Sequence, residues 1–403
     1  MSKINSNKLK ISSIAILILS ISLFQNCDIV NNDAKPKDEF VKIIHEADYN
    51  TKVYPVDILQ TADSSFLILS AVYNNDNSYV WHTPQISKTD ASGKVLWQQK
   101  LESPYVNPVG KILDISGEYY FVCMNENTLS TYIMKINKET GETTVSATLD
   151  DIKYPLYSYV SSNNSVLIQG YNHFARKTIF AKLSSSFSVT FKKEYYLYED
   201  AEEMILSHIT KTGKQFPLKI GELSDGNYYI NGFYNYTFST LFIDKDSGNI
   251  TGVVNGFRYE AGISSFIETS AGTFALSIFN QNDNYFITNK EISTSATSSV
   301  ENLKGDYISD LQQNAHVVGK LIKTSSEDMF VFASSTKSNE IVLYFYDKAN
   351  GKLLYTKHIS DSNPVEIQSL IQTDNKSIVV LAKTFVNGRF PRIFIAKTEL
   401  DFD

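Results

Sequence analysis

The chain is poor in the residues that would signal several common protein classes. Its 403 residues include only two cysteines and two tryptophans, and 42% of them are hydrophobic against 20% charged. Two cysteines cannot build the disulfide framework of a small secreted domain, and the hydrophobic content excludes wholesale disorder and a polytopic membrane protein. With 25 Tyr and 24 Phe, the composition indicates a folded, aromatic-rich and β-rich body.

The sequence also lacks an excess of positive charge. Its formal net charge is −7, and loss of Lys3, Lys8 and Lys10 with an N-terminal leader would change it from −7 to −10. Such a surface should repel polyanions unless basic residues gather in a local patch. We therefore expect no nucleic-acid partner.

The N-terminus has the pattern of a secretory signal. Residues 1–10 carry three lysines and no acid, and residues 11–24 form a nearly unbroken apolar run that is shorter than the roughly 20 residues of a membrane helix. Residues 23–27 read Leu-Phe-Gln-Asn-Cys, which resembles the lipobox of bacterial lipoproteins. The alternatives are an ordinary signal peptide with an unmodified Cys27, or an uncleaved anchor.

The lipobox resemblance implies three segments. Residues 1–26 would be the signal peptide, Cys27 would become the N-terminus and carry the lipid, including palmitate, and residues 27–39 would be a flexible tether, since they are polar and aperiodic. The protein would then be exported and anchored to the bacterial cell envelope, at the outer membrane on its periplasmic or surface face.

A short phrase recurs from residue 54 onward: a turn rich in Thr, Ser, Asp and Asn, an apolar strand, and a polar loop. Its steps along the chain are 53, 47, 62, 46, 55 and 49 residues, and the equivalent positions are Phe66, Tyr119, Val166, Tyr228, Phe274, Met329 and Ile378. A second phrase is two apolar strands joined by a turn that contains Gly, and its turn glycines are Gly93, Gly141, Gly248 and Gly351. Because Gly supplies the positive φ of a tight hairpin, each copy is predicted to hold four antiparallel strands.

Four-stranded repeats of this length are typical of β-propeller blades. The last copy is one strand short, whereas an unassigned strand at residues 40–45 precedes the first copy. Pairing them would remove two exposed edges. The sequence therefore predicts an all-β chain in which residues 40–403 form one seven-bladed β-propeller of four-stranded antiparallel blades, closed by its N- and C-terminal strands, with no helix. An open two-sheet protein or two smaller domains is the alternative.

The chain resembles the bacterial β-propeller lipoproteins, and this resemblance covers residues 40–403. Its Asp-to-Gly turns followed by Trp, as at Asp90, Gly93 and Trp97, are similar to those of the quinoprotein-like propellers. A quinone-dependent dehydrogenase of that group would have a cofactor pocket, a calcium ion, a catalytic carboxylate and often a vicinal disulfide. The sequence offers no cysteine pair and no assignable carboxylate, so we predict no cofactor.

Local signatures of catalysis are missing from the sequence. It contains no Gly-x-Ser-x-Gly elbow, no P-loop and no His-Glu-x-x-His, and its six histidines have no metal-ligand spacing. We therefore predict no catalytic residue and no metal site. A propeller glycoside hydrolase or polysaccharide lyase is the alternative, because it would collect carboxylates from different blades around the tunnel.

The longer loops are predicted to emerge at one end of the propeller. Aromatic and amide side chains on these loops suit glycan or peptide recognition. The candidate binding residues are Tyr79, Trp81, His173, Arg176, Tyr195, Tyr196, Tyr198, Tyr234 and Tyr236. The longest repeat step contains residues 195–216, which we identify as the best candidate for a partner-binding insertion.

Together these features predict a membrane-anchored, non-enzymatic cell-envelope lipoprotein whose propeller binds a protein or a glycan. A structural scaffold within an envelope complex is a further alternative. Carboxylates converging on the tunnel would favour an enzyme, an exposed apolar patch would favour a scaffold, and an aromatic-lined groove would favour glycan binding.

Overall fold

The computed structural model describes residues 38–46, 50–73, 81–198, 201–324 and 328–400. The predicted signal peptide, Cys27, most of the tether and Tyr79 lie outside these residues. Residues from Glu39 onward form one unit, whose strands make seven sheets.

Each sheet is a blade with four antiparallel strands, which confirms the predicted seven-bladed propeller. Blade 1 consists of β2 (Lys52–Gln60), β3 (Phe66–Tyr73), β4 (Thr83–Thr89) and β5 (Val95–Lys100), and blade 2 consists of β6 (Tyr105–Ile115), β7 (Glu118–Asn125), β8 (Ser130–Ile136) and β9 (Thr143–Lys153). Blade 3 consists of β10 (Tyr157–Val160), β11 (Val166–Asn172), β12 (Lys177–Leu183) and β13 (Val189–Tyr196), and blade 4 contains β14 (Lys219–Glu222), β15 (Tyr228–Tyr234), β16 (Thr237–Ile243) and β17 (Ile250–Asn255).

The remaining blades follow the same order. Blade 5 consists of β18 (Ala261–Ser270), β19 (Thr273–Asn280), β20 (Asp283–Glu291) and β22 (Asp306–Tyr307), and blade 6 consists of β23 (Val317–Lys323), β24 (Asp328–Ser335), β25 (Ile341–Asp347) and β26 (Leu353–Ile359). Blade 7 consists of β27 (Val365–Gln372), β28 (Ile378–Val386), β29 (Phe390–Thr398) and, as its outer strand, β1 (Phe40–Ile44).

The ring is closed by strands from both ends of the described chain, as the sequence predicts. β1 pairs antiparallel with β29, with Phe40 opposite Lys397 and Ile44 opposite Ile393. Ile44 is buried in the apolar cluster between blades 7 and 1. β1 is the outer strand of blade 7, and its pairing covers the edge that β29 would otherwise expose.

The core consists of apolar clusters between neighbouring blades. The second strand of each blade is largely buried, because sheets on both sides cover its two faces; all but the last residue of β3 are buried, for example. All seven repeat positions identified in the sequence fall on the first or second residue of these second strands. The repeat alignment is therefore confirmed.

The predicted turn glycines also have the expected conformation. Gly93, Gly141, Gly248 and Gly351 have φ between +68° and +79°, where other residues are strained. Gly141 is in addition covered by Trp97 of the neighbouring blade, since a Cβ there would lie 2.6 Å from the indole ring.

Two blades depart from the simple four-strand plan. The connection that leaves β20 runs to blade 4, where β21 (Thr297–Ser299) pairs parallel with β17, and it continues through a 3₁₀ helix (Val300–Asn302). Blade 4 therefore has five strands, and the outer strand of blade 5, β22, is only two residues long. The connection passes close to Gly252, where a Cβ would lie 2.6 Å from the Thr294 carbonyl oxygen.

Hydrogen bonds link adjacent blades at the end that carries the tight hairpins, here called the hairpin face. Ser162 donates its backbone N–H and hydroxyl to Glu222 at 2.6 and 2.9 Å. Ser224 binds Glu268 of the next blade in the same way. These contacts fix the relative positions of blades 3, 4 and 5 around the central axis.

Candidate binding tunnel

The first strands of the seven blades surround a central cavity of about 1270 Å³. All seven blades contribute to its lining, and it extends from the hairpin face toward the opposite end, here called the long-loop face. Small-molecule sites usually enclose roughly 300–1000 Å³. The tunnel is thus large enough for an oligomeric ligand.

The tunnel is basic although the chain is acidic overall. Its lining includes three glutamates, Glu222, Glu268 and Glu366, and six lysines, Lys111, Lys211, Lys214, Lys219, Lys320 and Lys383. The net negative charge of the composition left open a local basic patch, and the tunnel is such a patch. Enclosure by protein strengthens the field of these charges relative to the same charges on an outer surface.

One lysine of the tunnel, Lys111, is paired with a buried carboxylate. Lys111 Nζ lies 2.7 Å from Asp57 Oδ1, and that carboxylate also accepts hydrogen bonds from the Ile112 N–H and the Ser369 hydroxyl, both at 2.9 Å. Burial opposes the charge on Lys111, but Asp57 outweighs it and raises the pKa of the ammonium group. Asp57 thereby joins blades 1, 2 and 7.

Two lysines on the first strands of the blades have no such partner. Lys219 begins β14 in blade 4 and Lys320 lies in β23 of blade 6; we call them the tunnel lysines. Within the described residues neither ammonium group makes a hydrogen bond or an ion pair, and both residues are half-buried and line the tunnel.

The tunnel lysines titrate far below an ordinary lysine. Burial lowers the pKa of Lys219 to about 8, helped by the charges of Lys111 and Lys320. Burial and Lys111 likewise lower the pKa of Lys320 to about 8, while Asp57 acts in the opposite sense. Near neutral pH both groups are mostly protonated, so each presents a positive charge to the tunnel that no carboxylate of the described residues pairs with directly.

Tyrosines accompany these charges. Tyr157 and Tyr159, two residues apart on β10 in blade 3, are half-buried and line the tunnel. Burial raises the pKa of Tyr159 to about 12, with a further contribution from the charge of Glu222. The phenol of Tyr159 therefore stays protonated at neutral pH and is a neutral hydrogen-bonding group.

The carboxylates of the tunnel are already engaged. Glu222 and Glu268 accept the hydrogen bonds that link the blades at the hairpin face. Glu366 forms an ion pair with Lys383 at 2.6 Å. Asp57 is nearly fully buried beneath Lys111.

A segment between blades 3 and 4 covers the long-loop end of the tunnel. The predicted insertion, residues 195–216, begins in the last two residues of β13. We keep the name insertion for the part that follows β13, of which the structure describes residues 197, 198 and 201–218; it includes the helix α1 (Glu202–Ile209), which was not predicted. Ile205 and Ile209 of α1 are buried in an apolar cluster that joins the insertion to residues of blades 2 to 5, including Val106, Phe233 and Phe279. The insertion is therefore packed onto the propeller rather than projecting from it.

The tip of the insertion reaches the far side of the ring. His208, Ile209 and Lys211 line a small cavity together with Ala71 of blade 1 and Asn107 of blade 2. Burial lowers the pKa of Lys211 to about 8, and the charge of Lys383 in blade 7 adds to this. The insertion thus crosses the mouth of the tunnel from blades 3 and 4 to blades 1 and 2.

Three of the predicted binding residues come together on the outer surface of the long-loop face. Tyr198 stacks on Tyr236 with ring centroids 4.7 Å apart and an angle of 10° between the rings, and Tyr196 meets Tyr198 edge-on at 4.4 Å. All three are more than half exposed. We call this group the tyrosine shelf.

The other predicted residues that the structure describes are not gathered with the shelf. Trp81 packs against the apolar cluster under the insertion, and Tyr234 is half-buried between blades. Tyr195 is buried, and its hydroxyl donates to the Gly248 carbonyl at 2.8 Å. His173 lies edge-on to Tyr154 at 5.5 Å, and Arg176 is exposed in the turn between β11 and β12.

Two features are absent from the described part of the chain. It contains no group of three or more His, Cys, Asp or Glu side chains arranged to hold a metal ion. It also contains no helix of sufficient length and apolar character to cross a membrane.

No protein-family model matches the chain, and no curated protein has significant sequence similarity to it. Among solved structures, YCF48 from Cyanidioschyzon merolae is 9% identical with a TM-score of 0.51, and the match covers 89% of this chain and 98% of that chain. The β-propeller domain of the Trilobed protease from Pyrococcus furiosus is 13% identical with a TM-score of 0.45, covering 87% and 97% of the two chains. The likeness to YCF48 supports the propeller fold alone.

Proposed function

We propose that the chain is a non-enzymatic binding module of the bacterial cell envelope, anchored through a lipid on Cys27, and that its ligand occupies the central tunnel. The tunnel lysines carry this proposal, because they place two unpaired charges inside a cavity large enough for an oligomer. Unpaired charges in an enclosed site destabilise a fold, and strongly perturbed groups cluster at functional sites.

The shape of the tunnel favours a glycan over a folded protein. A ligand in the tunnel would have to fit between the first strands of the seven blades, and the insertion covers the end of the tunnel at the long-loop face. An extended oligosaccharide could pass between the hairpins at the other end, whereas a globular domain could not. A protein partner would have to use the outer surface, where the tyrosine shelf is an exposed aromatic group.

The alternative of a glycoside hydrolase or lyase has less support. Such an enzyme needs one carboxyl group that donates a proton and a second that acts as base or nucleophile. Glu222, Glu268 and Glu366 do approach the tunnel, but each is committed to a neighbouring hydrogen-bond donor or lysine.

Blocking the tunnel tests the proposed site. Gln368 is exposed on the tunnel lining, so Gln368→Trp should fill part of the cavity. Leu96→Trp is the matched control, because Leu96 is exposed on the outer strand of blade 1. On an array of neutral and acidic oligosaccharides, we expect wild-type protein and Leu96→Trp to bind and Gln368→Trp not to bind. Equal binding by all three folded proteins would contradict a tunnel site.

The membrane anchor is tested separately. Cys27→Ala should move the protein from the membrane fraction to the soluble fraction of cells, because stable anchoring depends on the acyl chains. The measurement is immunoblotting of both fractions, together with metabolic labelling by a palmitate analogue. Unchanged membrane association with no label in either protein would refute lipidation at Cys27.

A further inference from the structure

We infer that the tunnel selects an anionic oligosaccharide and that Lys219 and Lys320 bind the charged groups on its sugars. This inference rests on the proposed function and adds the chemical class of the ligand. The shared chemistry is a sugar ring that carries a carboxylate, sulfate or phosphate group.

The first argument is the unbalanced charge. Lys111 is paired with Asp57, and Lys383 is paired with Glu366, so these four groups contribute no net charge to the tunnel. Of the remaining charges on the lining, the carboxylates of Glu222 and Glu268 are held by serines at the hairpin face, and four lysines stand against these two carboxylates, which leaves the lining positive. Lys219 and Lys320 have no comparable partner among the described residues, and each lies close enough to Lys111 to be influenced by its charge. An anion between them would supply the missing acceptors and reduce the repulsion.

The second argument is the number and placement of the lysines. Lys219 comes from blade 4 and Lys320 from blade 6, with blade 5 between them. Blade 5 contributes Ser264 and Phe266 to the lining but no lysine. The two ammonium groups therefore act from separate blades, an arrangement suited to a ligand that bears more than one anionic group.

The third argument concerns the rest of the tunnel wall. A small inorganic anion would leave most of the cavity of about 1270 Å³ unfilled. Tyr157 and Tyr159 of blade 3 line the same tunnel and offer aromatic surface and hydroxyl groups. Aromatic rings pack against the apolar faces of sugar rings while hydroxyl groups orient the sugar hydroxyls. Lysine and tyrosine together fit a charged sugar better than a free ion.

The outer surface supports the same choice. The chain has a formal charge of −7, so a long polyanion would be repelled from the outside while a short segment could be attracted within the tunnel. The tunnel would discriminate against neutral sugars, because a neutral sugar displaces water from the tunnel lysines without giving their ammonium groups an anionic acceptor.

Isothermal titration calorimetry on the full-length protein in detergent tests the inference. The probes are a hexamer of galacturonate, a sulfated chondroitin hexasaccharide, a phosphorylated mannose oligomer, maltohexaose as the neutral sugar, and inorganic phosphate. We expect at least one acidic oligosaccharide to bind, and the uronate, sulfate and phosphate probes will distinguish the source of the anion. Lys219→Met and Lys320→Met should each weaken that binding roughly ten- to hundredfold.

Three controls keep the result decisive. Lys94→Met removes an exposed lysine on an outer turn and should leave binding unchanged. Lys219→Arg retains the charge and should recover much of the affinity that Lys219→Met loses. Circular dichroism and the thermal unfolding midpoint will show whether each variant is folded.

Each unfavourable outcome has a distinct meaning. In one outcome, maltohexaose and the acidic oligomers bind with equal affinity, Lys219→Met and Lys320→Met do not change that affinity, and Gln368→Trp abolishes binding. This outcome would overturn the inference and leave the proposed tunnel site intact. Inorganic phosphate bound as tightly as the acidic oligomers would overturn recognition of a sugar. Absence of binding to every probe would count against both proposals.

Discussion

Replacing Asp57 by alanine should destabilise the propeller strongly, because one buried carboxylate joins three blades. Its side chain is 3% exposed and accepts hydrogen bonds from Lys111, from the Ile112 N–H and from the Ser369 hydroxyl. Breaking a fully buried ion pair by removing one partner costs about 3–5 kcal/mol. Lys111 is 35% exposed to the tunnel, so water would solvate part of the orphaned charge. We therefore expect the free energy of unfolding to fall by about 2–3 kcal/mol.

The assay is chemical denaturation at neutral pH, followed by tyrosine and tryptophan fluorescence. Glu118→Ala is the matched control, because it removes an ion pair of 2.8 Å to Lys135 in which both side chains are exposed. That variant should show no measurable shift of the midpoint. The double variant Asp57→Ala, Lys111→Met should recover part of the loss, since it removes the orphaned ammonium group. Equal midpoints for Asp57→Ala and Glu118→Ala would refute the reasoning.

Three further predictions concern the tunnel, the ring closure and the buried thiol. Calorimetric affinity for an acidic oligosaccharide should fall at least about tenfold from pH 7 to pH 9.5, because the tunnel lysines have pKa values lowered to about 8 and lose their protons as the pH rises through that value. Across this range Lys111, with its raised pKa, stays charged, while His316, with its pKa lowered to about 4, and Tyr159 stay neutral. Lys211, with its pKa also lowered to about 8, loses its proton over the same range, so the fall should be smaller in Lys219→Met and Lys320→Met than in the wild type, and a flat wild-type profile would contradict the site. Ile44→Ala should lower the free energy of unfolding by about 2–4 kcal/mol in denaturant titrations, because Ile44 is only 5% exposed in the closing strand. If the free energy of unfolding falls no further than it does when an exposed residue of the same strand is replaced by alanine, closure by β1 is contradicted. Cys123 is fully buried, which raises its thiol pKa, so mass spectrometry should detect its alkylation by iodoacetamide only after unfolding; rapid labelling of the native protein would contradict this burial.

The propeller could be predicted from sequence because its physical requirements repeat. Phe66 and its six equivalents each begin a buried second strand, and Gly93 and its equivalents each adopt a positive φ. Closure was also predictable, since the segment that starts at Phe40 had no partner within its own copy, whereas the last copy lacked one strand. Local strand and turn chemistry therefore carried most of the architecture.

The parts that were not predicted depend on contacts between distant residues or on very short elements. α1 has only eight residues and buries Ile205 and Ile209, one turn apart, which is too short a pattern to distinguish from a loop. The outer strand of blade 5 is short because the connection from β20 pairs with blade 4 instead. Neither feature has a repeat equivalent that would reveal it.

The candidate site was missed for a related reason. Lys219 and Lys320 are separated by 101 positions in the chain, and only closure of the ring brings them to one tunnel. The available signal was a lysine within a predicted first strand, where an apolar or neutral residue is expected. By contrast, Tyr196, Tyr198 and Tyr236 were predicted as loop aromatics, and they meet because Tyr198 and Asn235 form a backbone hydrogen bond of 2.9 Å.

The central claim is that the ligand lies inside the tunnel between Lys219 and Lys320, and a crystal structure of the complex with the tightest-binding acidic oligosaccharide tests it most directly. The account predicts electron density for the sugar within the ring, with its anionic groups at hydrogen-bond distance from both ammonium groups. Density on the tyrosine shelf or elsewhere on the outer surface, with the tunnel occupied by solvent alone, would contradict it.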